Sequence, residues 1–485
     1  MKRTLSEIAA MCGGQLNMPG GGAAVAEKVA EAEKVVEAEK VIEGVTTDSR
    51  KLTEGCLFIP LTGEKFDGHD YAADCLQRGA GAVLWSRKRS DIPANGPVIL
   101  VDDTLAALQQ LSKAYLQAVG ARVIGITGSN GKTTTKDIMT SLLSTTYKVH
   151  KTQGNFNNHI GLPLTILAMP EDTEFAVLEM GMSARGEIEL LSLIAQPELA
   201  IITNIGESHL EHLGSREEIA RAKTEILAGM KPGGLFVYNG DEPLIPMVLD
   251  EPETSKPEGL RTWTFGLGPH NDMHPTSMVQ QSAGTAFTTN VFGSEASFSL
   301  PLLGKHNVSN ALGAMSAAAY YKVSEADISL GLEQIRLTGM RIELLKGTSG
   351  ITILNDAYNA SPTSMRVALE VLGSMNGFGR RIAVLGDMLE LGENAEQMHR
   401  EVGSFITGEI ADLIYVYGPL GAYIAEGAAQ QLQPDSVRAF TDKAGLIEAL
   451  ESVLHPDDVV LVKASRGNRL EEVAQAIQNF NLQQS

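Results

Sequence analysis

Residues 122–136, RVIGITGSNGKTTTK, hold the densest chemistry in this 485-residue chain. Gly128, Ser129, Asn130 and Gly131 make a flexible turn, and Lys132, Thr133 and Thr134 open a helix. A turn of this kind can aim backbone N–H groups at one anion, the helix dipole adds partial positive charge, and a lysine adds a full one. That is phosphate-binding chemistry. The pattern is T-G-x-x-G-K-T, which departs from the common G-x-x-x-x-G-K-[ST] because Ile126 stands where the first glycine belongs. Nucleoside triphosphate binding is expected, with Lys132 on the terminal phosphates and the Thr133 hydroxyl as a natural magnesium ligand.

Other side chains have chemistry that fits the same reaction, each with a plainer alternative. Glu179 ends the apolar run FAVLE, where a carboxylate near the phosphates would hold magnesium, although a strand-end glutamate also simply meets solvent. His209 lies in the loop NIGESHLEHLGS, where a lone histidine is more often a surface residue. Ser215 and Glu218 behind it have the spacing of a capping box. In the helix they start, Lys223 falls on the apolar face with Ile219, Ala222, Ile226, Leu227 and Met230. Helical spacing alone favours a snorkelling lysine. Burial would instead leave a neutral amine able to take up carbon dioxide as a carbamate, an anionic metal ligand. Asn155, Asn157 and Asn158 suit hydrogen bonds to sugars, amides or phosphates, and they suit turns equally. His306, Asn307 and Asn310 sit at a helix start, and Asp356, Tyr358 and Asn359 between a strand and a helix.

The elements that must position these residues alternate along the chain. The first hundred residues mix the strand candidates 45–50, 56–63, AVLW and VILV with the helix 71–80, a small α/β unit. Inside it, after Pro19 and three glycines, A-E-K-V-x-E repeats through 26–43. A six-residue period gives no lasting stripe on a helix, so residues 19–43 read as an exposed charged insertion, and deletion of 20–43 is expected to leave activity intact. Residues 104–118 form a helical connector, and FAVLEMG, LAIITNIG and LFVYNGDE then alternate with helices as in a mostly parallel sheet. Residues 250–303 suggest a β appendage. After about residue 336 come four strand candidates, ITILNDAY, RIAVLGDM, DLIYVYG and DVVLVKASRG, whose ends carry Asp356, Asp387, Lys463 and Arg466 as a second polar rim. The fold class is α/β with three domains: 1–102, 103–335 and 336–485.

Composition narrows the partners. A net charge of −20 with no Lys/Arg-rich block argues against nucleic acid or an acidic membrane surface as the main partner. Cys12, Cys56 and Cys75 are unpatterned and read as free thiols. The start MKRTLSEIAAMCGG lacks the apolar core of a secretory signal, and no run of about 18 apolar residues follows, so a cytoplasmic protein without a membrane span is expected.

Taken together, TGSNGKTT, LEMG, TNIGESHLEHLGS with RAKTEI, GKHNVSNALGA, Met340-Arg341, NDAYNASPTSM, LGDMLELG and LVKASRG resemble the Mur ligase family. The likeness runs through nearly the whole chain except the repeat. LGDMLELG, TTDSRKLTEGCLF and GEKFDGHDYA look most like the member that adds D-alanyl-D-alanine to UDP-N-acetylmuramoyl-tripeptide, and the D-N-P-R motif of diamino-acid-adding members is absent. The resemblance implies a uridine-nucleotide substrate domain, a central P-loop ATPase domain and a C-terminal Rossmann-like domain that closes over ATP. It implies that Gly128 to Thr134 bind ATP, that Thr133, Glu179, His209 and a carbamylated Lys223 serve two magnesium ions, and that Asn307 and Asn310 approach the adenine. Arg341 would reach the phosphates and Asp356 the ribose, while Ser49, Arg50, Asn157 and Asn158 match substrate-binding positions. Met340 stands where some relatives have glycine. Lys132, Lys223, His209 and Arg341 are the catalytic set so implied.

The implied reaction is amide formation through an acyl phosphate, in peptidoglycan precursor synthesis by a monomeric enzyme. Two other readings remain at this point: another Mur-type or folylpolyglutamate-synthase-like ligase, and a nucleotide-binding regulator that ligates nothing.

Overall fold

The computed structural model describes residues 1–17, 38–291 and 293–480. The repeat therefore lies mostly outside the described residues. Its end does not: Val41–Glu43 is a strand paired with Lys2–Thr4, and Ile42 is fully buried. The insertion read as 19–43 thus runs into the core, and a deletion extending to residue 43 would remove a buried side chain.

A five-stranded sheet forms the N-terminal unit, in the order Gln15–Asn17, Val98–Val101, Ala82–Ser86, Leu57–Phe58 and Val45–Thr46. The strand expected over 45–50 stops at Thr46. Asp48 accepts from the Arg50 N–H and caps a short 3-10 turn at Ser49–Lys51 instead. Helix Thr104–Val119 is more than a connector. Asp103 caps it, Gly120 at φ 75° ends it, and Leu108, Leu111 and Tyr115 are wholly buried. These residues share one hydrophobic cluster with Leu5, Ile8 and Leu84 on one side and Val123, Ala176 and Ile219 on the other, so the N-terminal unit and the central sheet are packed on a continuous core.

The central sheet has six strands, all parallel, with the P-loop strand Arg122–Thr127 between Phe175–Glu179 and Leu199–Ile202. Its β-branched runs are buried on both faces, as parallel sheets require. Register decides what meets at the carboxyl edge: Glu179 is opposite Ile126, and Ile202 is opposite Thr127. The P-loop turn, the Glu179 carboxylate and the segment after residue 202 therefore emerge side by side. Helix Lys132–Ser144 covers the other face, packed against helix Lys305–Tyr320 in a second core containing Ile138, Leu142, Val308 and Leu312. The expected β appendage is the antiparallel trio Pro275–Gln281, Gly284–Val291 and Ser294–Leu300.

The C-terminal sheet holds the four expected strands, at Thr352–Asp356, Arg381–Gly386, Leu413–Tyr417 and Val459–Lys463, and two more at its edges. Glu343–Lys346 is antiparallel to its neighbour, and Val437–Phe440 is parallel. Both are four-residue edge strands that contain charged residues, with little of the continuous apolar signal of the interior strands. The linker between the units is tied to the P-loop helix, where Asp137 Oδ2 accepts the Thr338 N–H at 2.7 Å. Among the described residues no helix is long and apolar enough to cross a membrane.

Candidate active site

Between the central and C-terminal units lies a polar cavity of about 730 Å³. Ser129 to Thr134, Asn157, Asn158, Glu179, His209, Asn307 and Asn310 line it from the central unit, and Arg341, Asp356, Glu390 and Lys463 from the other. Ser49 and Arg50 are not part of its wall. The Arg50 guanidinium instead pairs with its own turn through Asp48 Oδ1 at 2.8 Å.

The P-loop turn is held by its neighbours. Asn204 takes the N–H groups of Ser129, through its carbonyl at 3.0 Å, and of Asn130, through its side chain at 2.9 Å. These two amides therefore do not point at a ligand, as the turn by itself suggested. The amides of the first helical turn, from Lys132 to Thr134, have no intrahelical acceptors and remain for an anion. Gly128 and Gly131 sit at φ 146° and 81°. A Cβ on Gly128 would fall 1.8 Å from Thr203 Oγ1, and one on Gly131 would fall 2.4 Å from Asn310 Oδ1. Only glycine fits either position.

Thr133 and Glu179 meet as the register requires. The Thr133 hydroxyl donates to Glu179 Oε2 at 2.8 Å, and Asn157 Nδ2 donates to Oε1 at 2.8 Å. Glu179 is buried rather than solvent-facing. This hard-oxygen donor set fits magnesium, which is commonly held by one or two carboxylates together with substrate phosphates.

Positive charge gathers around that pair. Lys132 Nζ bonds to the carbonyls of Gly128 at 2.7 Å and Ser129 at 3.3 Å. Burial lowers its pKa, nearby Glu179 raises it, and Arg341 lowers it again. Lys223 is 2% exposed, so the snorkelling arrangement favoured by spacing is not the one adopted. Burial first, then the charge of Lys132, pushes its amine well below the ordinary lysine value. The Arg341 guanidinium stacks 4.3 Å from the Tyr358 ring centroid. A polyanion entering here replaces the repulsion among these groups with attraction.

His209 adopts φ 65° at the head of helix Leu210–Leu213, and its Nδ1 lies 2.6 Å from Glu390 Oε2. Burial lowers the ring's pKa while Glu390 raises it. The helix behind it begins at Ser215, which accepts the Glu218 N–H at 3.2 Å. The reciprocal half of the expected capping box is missing because the Glu218 carboxylate turns to Arg185 and Arg221.

From the far wall, Asp356 and Lys463 are register partners at adjacent strand ends and pair at 2.6 Å. Asp356 Oδ1 also accepts the Ile342 N–H at 3.2 Å. Asp387 does not join this rim. It is buried and accepts the Gly421 N–H at 2.7 Å, which holds together the turns after two strands. Asn310 is packed on the P-loop glycine, with Asn307 beside it. Asn204, Thr363 and Glu390 also bear on the site, although the sequence carries no separate signal for them. They lie in TNIG, NASPTSM and LGDMLELG, and only tertiary structure shows what they touch.

Family models match at residues 41–116 (Mur ligase family, catalytic domain), 126–318 (Mur ligase middle domain) and 340–466 (Mur ligase, glutamate ligase domain). The chain is 53% identical over 430 residues to the UDP-N-acetylmuramoyl-tripeptide--D-alanyl-D-alanine ligase of Bacillus subtilis, covering 89% of this chain and 92% of that one. It superposes on a crystal structure of MurF from Acinetobacter baumannii with a TM-score of 0.84 at 28% identity, covering 99% of both chains. A MurF ligase from Thermotoga maritima in complex with ADP gives a TM-score of 0.78 at 29% identity, covering 90% of this chain and 97% of that one. With these matches spanning most of its length, the chain belongs to the Mur ligase family.

Proposed function

We propose that this chain joins D-alanyl-D-alanine to UDP-N-acetylmuramoyl-tripeptide at the expense of ATP, in the cytoplasmic synthesis of peptidoglycan precursors. The observation that carries the reading is the cavity itself, where the P-loop, Glu179 and the second unit's Arg341 converge in a chain 53% identical to a ligase of that name. In this reading residues 1–102 receive the uridine nucleotide, 103–335 hold ATP, and 336–485 close over it. The chain acts as a monomer.

The first step makes a poor leaving oxygen into a good one. A carboxylate oxygen of the tripeptide attacks the γ-phosphorus, the bond to the β-bridging oxygen breaks, and ADP leaves an acyl phosphate. The free amine of the dipeptide then attacks the acyl carbon, loses a proton, and expels phosphate. Phosphoryl transfer needs chiefly positioning and charge. Lys132 and Arg341 stabilise the transferring group from the two units, with the first-turn amides of the P-loop helix holding its oxygens. Gly128 to Thr134 bind the phosphate tail, Asn307 and Asn310 border the adenine, and Asp356 the ribose. Asn157 and Asn158 border the peptide, and Ser49 and Arg50 contact the nucleotide substrate elsewhere on the molecule. Thr133, Glu179, His209 and Lys223 as its carbamate would hold two magnesium ions, which supply positive charge to the phosphate oxygens. Lys223 suits that form because burial, then the charge of Lys132, disfavours its protonated form, and a neutral amine adds to carbon dioxide with loss of one proton. Closure of the two units excludes water from the acyl phosphate.

A coupled assay of phosphate release tests the reading. Phosphate should appear only when ATP, UDP-N-acetylmuramoyl-tripeptide and D-alanyl-D-alanine are all present. Turnover with a single free amino acid in place of the dipeptide would point to a neighbouring ligase, and turnover with ATP alone to a regulator.

A further inference from the structure

The segment Glu207–Glu211 belongs to the central unit but is gripped by the C-terminal one. At its start, the Glu207 carboxylate accepts the Thr363 hydroxyl at 2.8 Å and the Thr363 N–H at 3.4 Å. Thr363 lies in the first turn of helix Pro362–Ser374, whose dipole favours a carboxylate there. At its end, the Glu211 N–H donates to the Glu390 carbonyl at 3.1 Å. Between the two grips lies His209, whose Nδ1 is 2.6 Å from Glu390 Oε2. The contact is close without meeting hydrogen-bond geometry, and Nδ1 has no other partner. Behind the segment, the Gly206 N–H donates to Ser129 Oγ at 2.8 Å, which ties it to the P-loop.

Four features therefore coincide on residues 206–211. Gly206 anchors the segment to the P-loop, Glu207 caps a helix of the other unit, Glu211 is hydrogen-bonded to that unit's backbone, and His209 is met by that unit's carboxylate. A histidine that ligates metal through one ring nitrogen characteristically donates the other N–H to a carboxylate, which fixes tautomer and ring orientation. Glu390 is the carboxylate beside Nδ1 that can accept that N–H, which leaves Nε2 for the metal. Glu390 takes φ 62°, a left-handed backbone unusual for glutamate, in the turn that carries it across the cleft.

We propose that Glu390 and Thr363 are positioning residues for His209, so that the metal site of the central unit is completed only when the C-terminal unit closes on residues 207–211. Closure and metal binding are then one coupled equilibrium, since whatever favours the closed arrangement also orients the histidine. This deepens the reading that His209 ligates magnesium and rests on it.

Binding of Mn²⁺ to the full-length protein with a non-hydrolysable ATP analogue, followed by electron paramagnetic resonance, separates the two claims. The probe variants are Glu390→Gln and Thr363→Val. Both positions are exposed, the Glu390 side chain by 47%, so folding is not at stake. The expected result is Mn²⁺ affinity weakened about tenfold in each variant and at least as much in His209→Ala, with metal-free nucleotide affinity and melting temperature unchanged. X-ray scattering should show less compaction of both variants on adding Mn²⁺ and analogue. Wild-type Mn²⁺ affinity in Glu390→Gln and Thr363→Val, alongside a loss in His209→Ala, would overturn the inference and leave the metal assignment standing. Unchanged affinity in His209→Ala would overturn the metal assignment and the inference with it.

Discussion

The Thr133 hydroxyl donates to Glu179 Oε2 across 2.8 Å, joining the first turn of the P-loop helix to the end of the adjacent strand. Parallel register places Glu179 beside the end of the P-loop strand, and both residues line the cavity. Replacing Glu179 by Gln keeps the shape and an oxygen acceptor but removes the charge. The expected result is a fall in kcat of about 10²-fold with the fold intact, the scale of losing one preorganised electrostatic group. Steady-state phosphate release and circular dichroism check both halves.

Gly131→Ala tests the loop geometry. The position has φ 81°, and the added methyl would meet Asn310 Oδ1 at 2.4 Å. Strain and displacement of Asn310 together should cost about 1–3 kcal/mol. The melting temperature should fall, and calorimetry should show weaker binding of ATP analogue. Ala at Gly233, where φ is 69° but no atom lies within 4 Å, should leave nucleotide binding unchanged.

Met340 explains a departure noted in the sequence. Its φ is 62°, which glycine adopts freely and methionine does not, and Arg341 follows directly. Met340→Gly should keep activity within about twofold, because the native backbone suits glycine. Met340→Val should be far worse, since a β-branched residue resists positive φ, and the loss should appear in kcat more than in folding. Parallel kinetics and thermal melts on the two variants provide the check.

Lys223→Ala should be nearly inactive, with partial recovery on adding short carboxylic acids that occupy the place of the carbamate. Full activity of the variant would remove the carbamate from the account. Mass spectrometry alone is a weaker check, because a carbamate is lost on acidification.

His306 gives a pH signature. Burial first, then the charges of Lys463 and Lys305, push its pKa down to about 4. The unfolded chain, with an ordinary histidine, binds more protons between about pH 4 and 6.5, so this group's stabilising contribution is present above 6.5 and is lost as pH falls through that window. The wild-type urea midpoint should drop more steeply from pH 7 to pH 5 than that of His306→Asn. The difference should be on the order of 1 kcal/mol for a partly exposed ring. Parallel slopes would show that the ring contributes nothing.

Much of this architecture was legible in the chain because local pattern and tertiary role coincide there. The run Val123, Ile124, Ile126 reads as a buried strand, and the glycine turn and the lysine after it read as a phosphate grip. The placement of Glu179 beside the P-loop helix was legible for the same reason, as a charge ending a wholly apolar strand. Lys223 was legible only in part: helical spacing put it on the buried face, but spacing cannot tell a stem that snorkels from an amine that stays inside. The Glu207–Thr363 pairing was not legible, since it joins residues 156 apart on separate units. Asn204 was hidden similarly, because its use of two P-loop amides appears only once the strands are laid side by side. Ile42 shows the reverse failure, where a charged repeat masked a short core strand that begins before the repeat ends.

The central claim is that the tripeptide carboxylate is phosphorylated before the amine attacks it, and isotope transfer tests this most directly. UDP-N-acetylmuramoyl-tripeptide carrying oxygen-18 in both oxygens of the reacting carboxylate is turned over with ATP and D-alanyl-D-alanine, and the phosphate is analysed by mass. Passage through an acyl phosphate predicts one labelled oxygen in every phosphate released and one retained in the new amide. Release of unlabelled phosphate alongside the ligated product would contradict it.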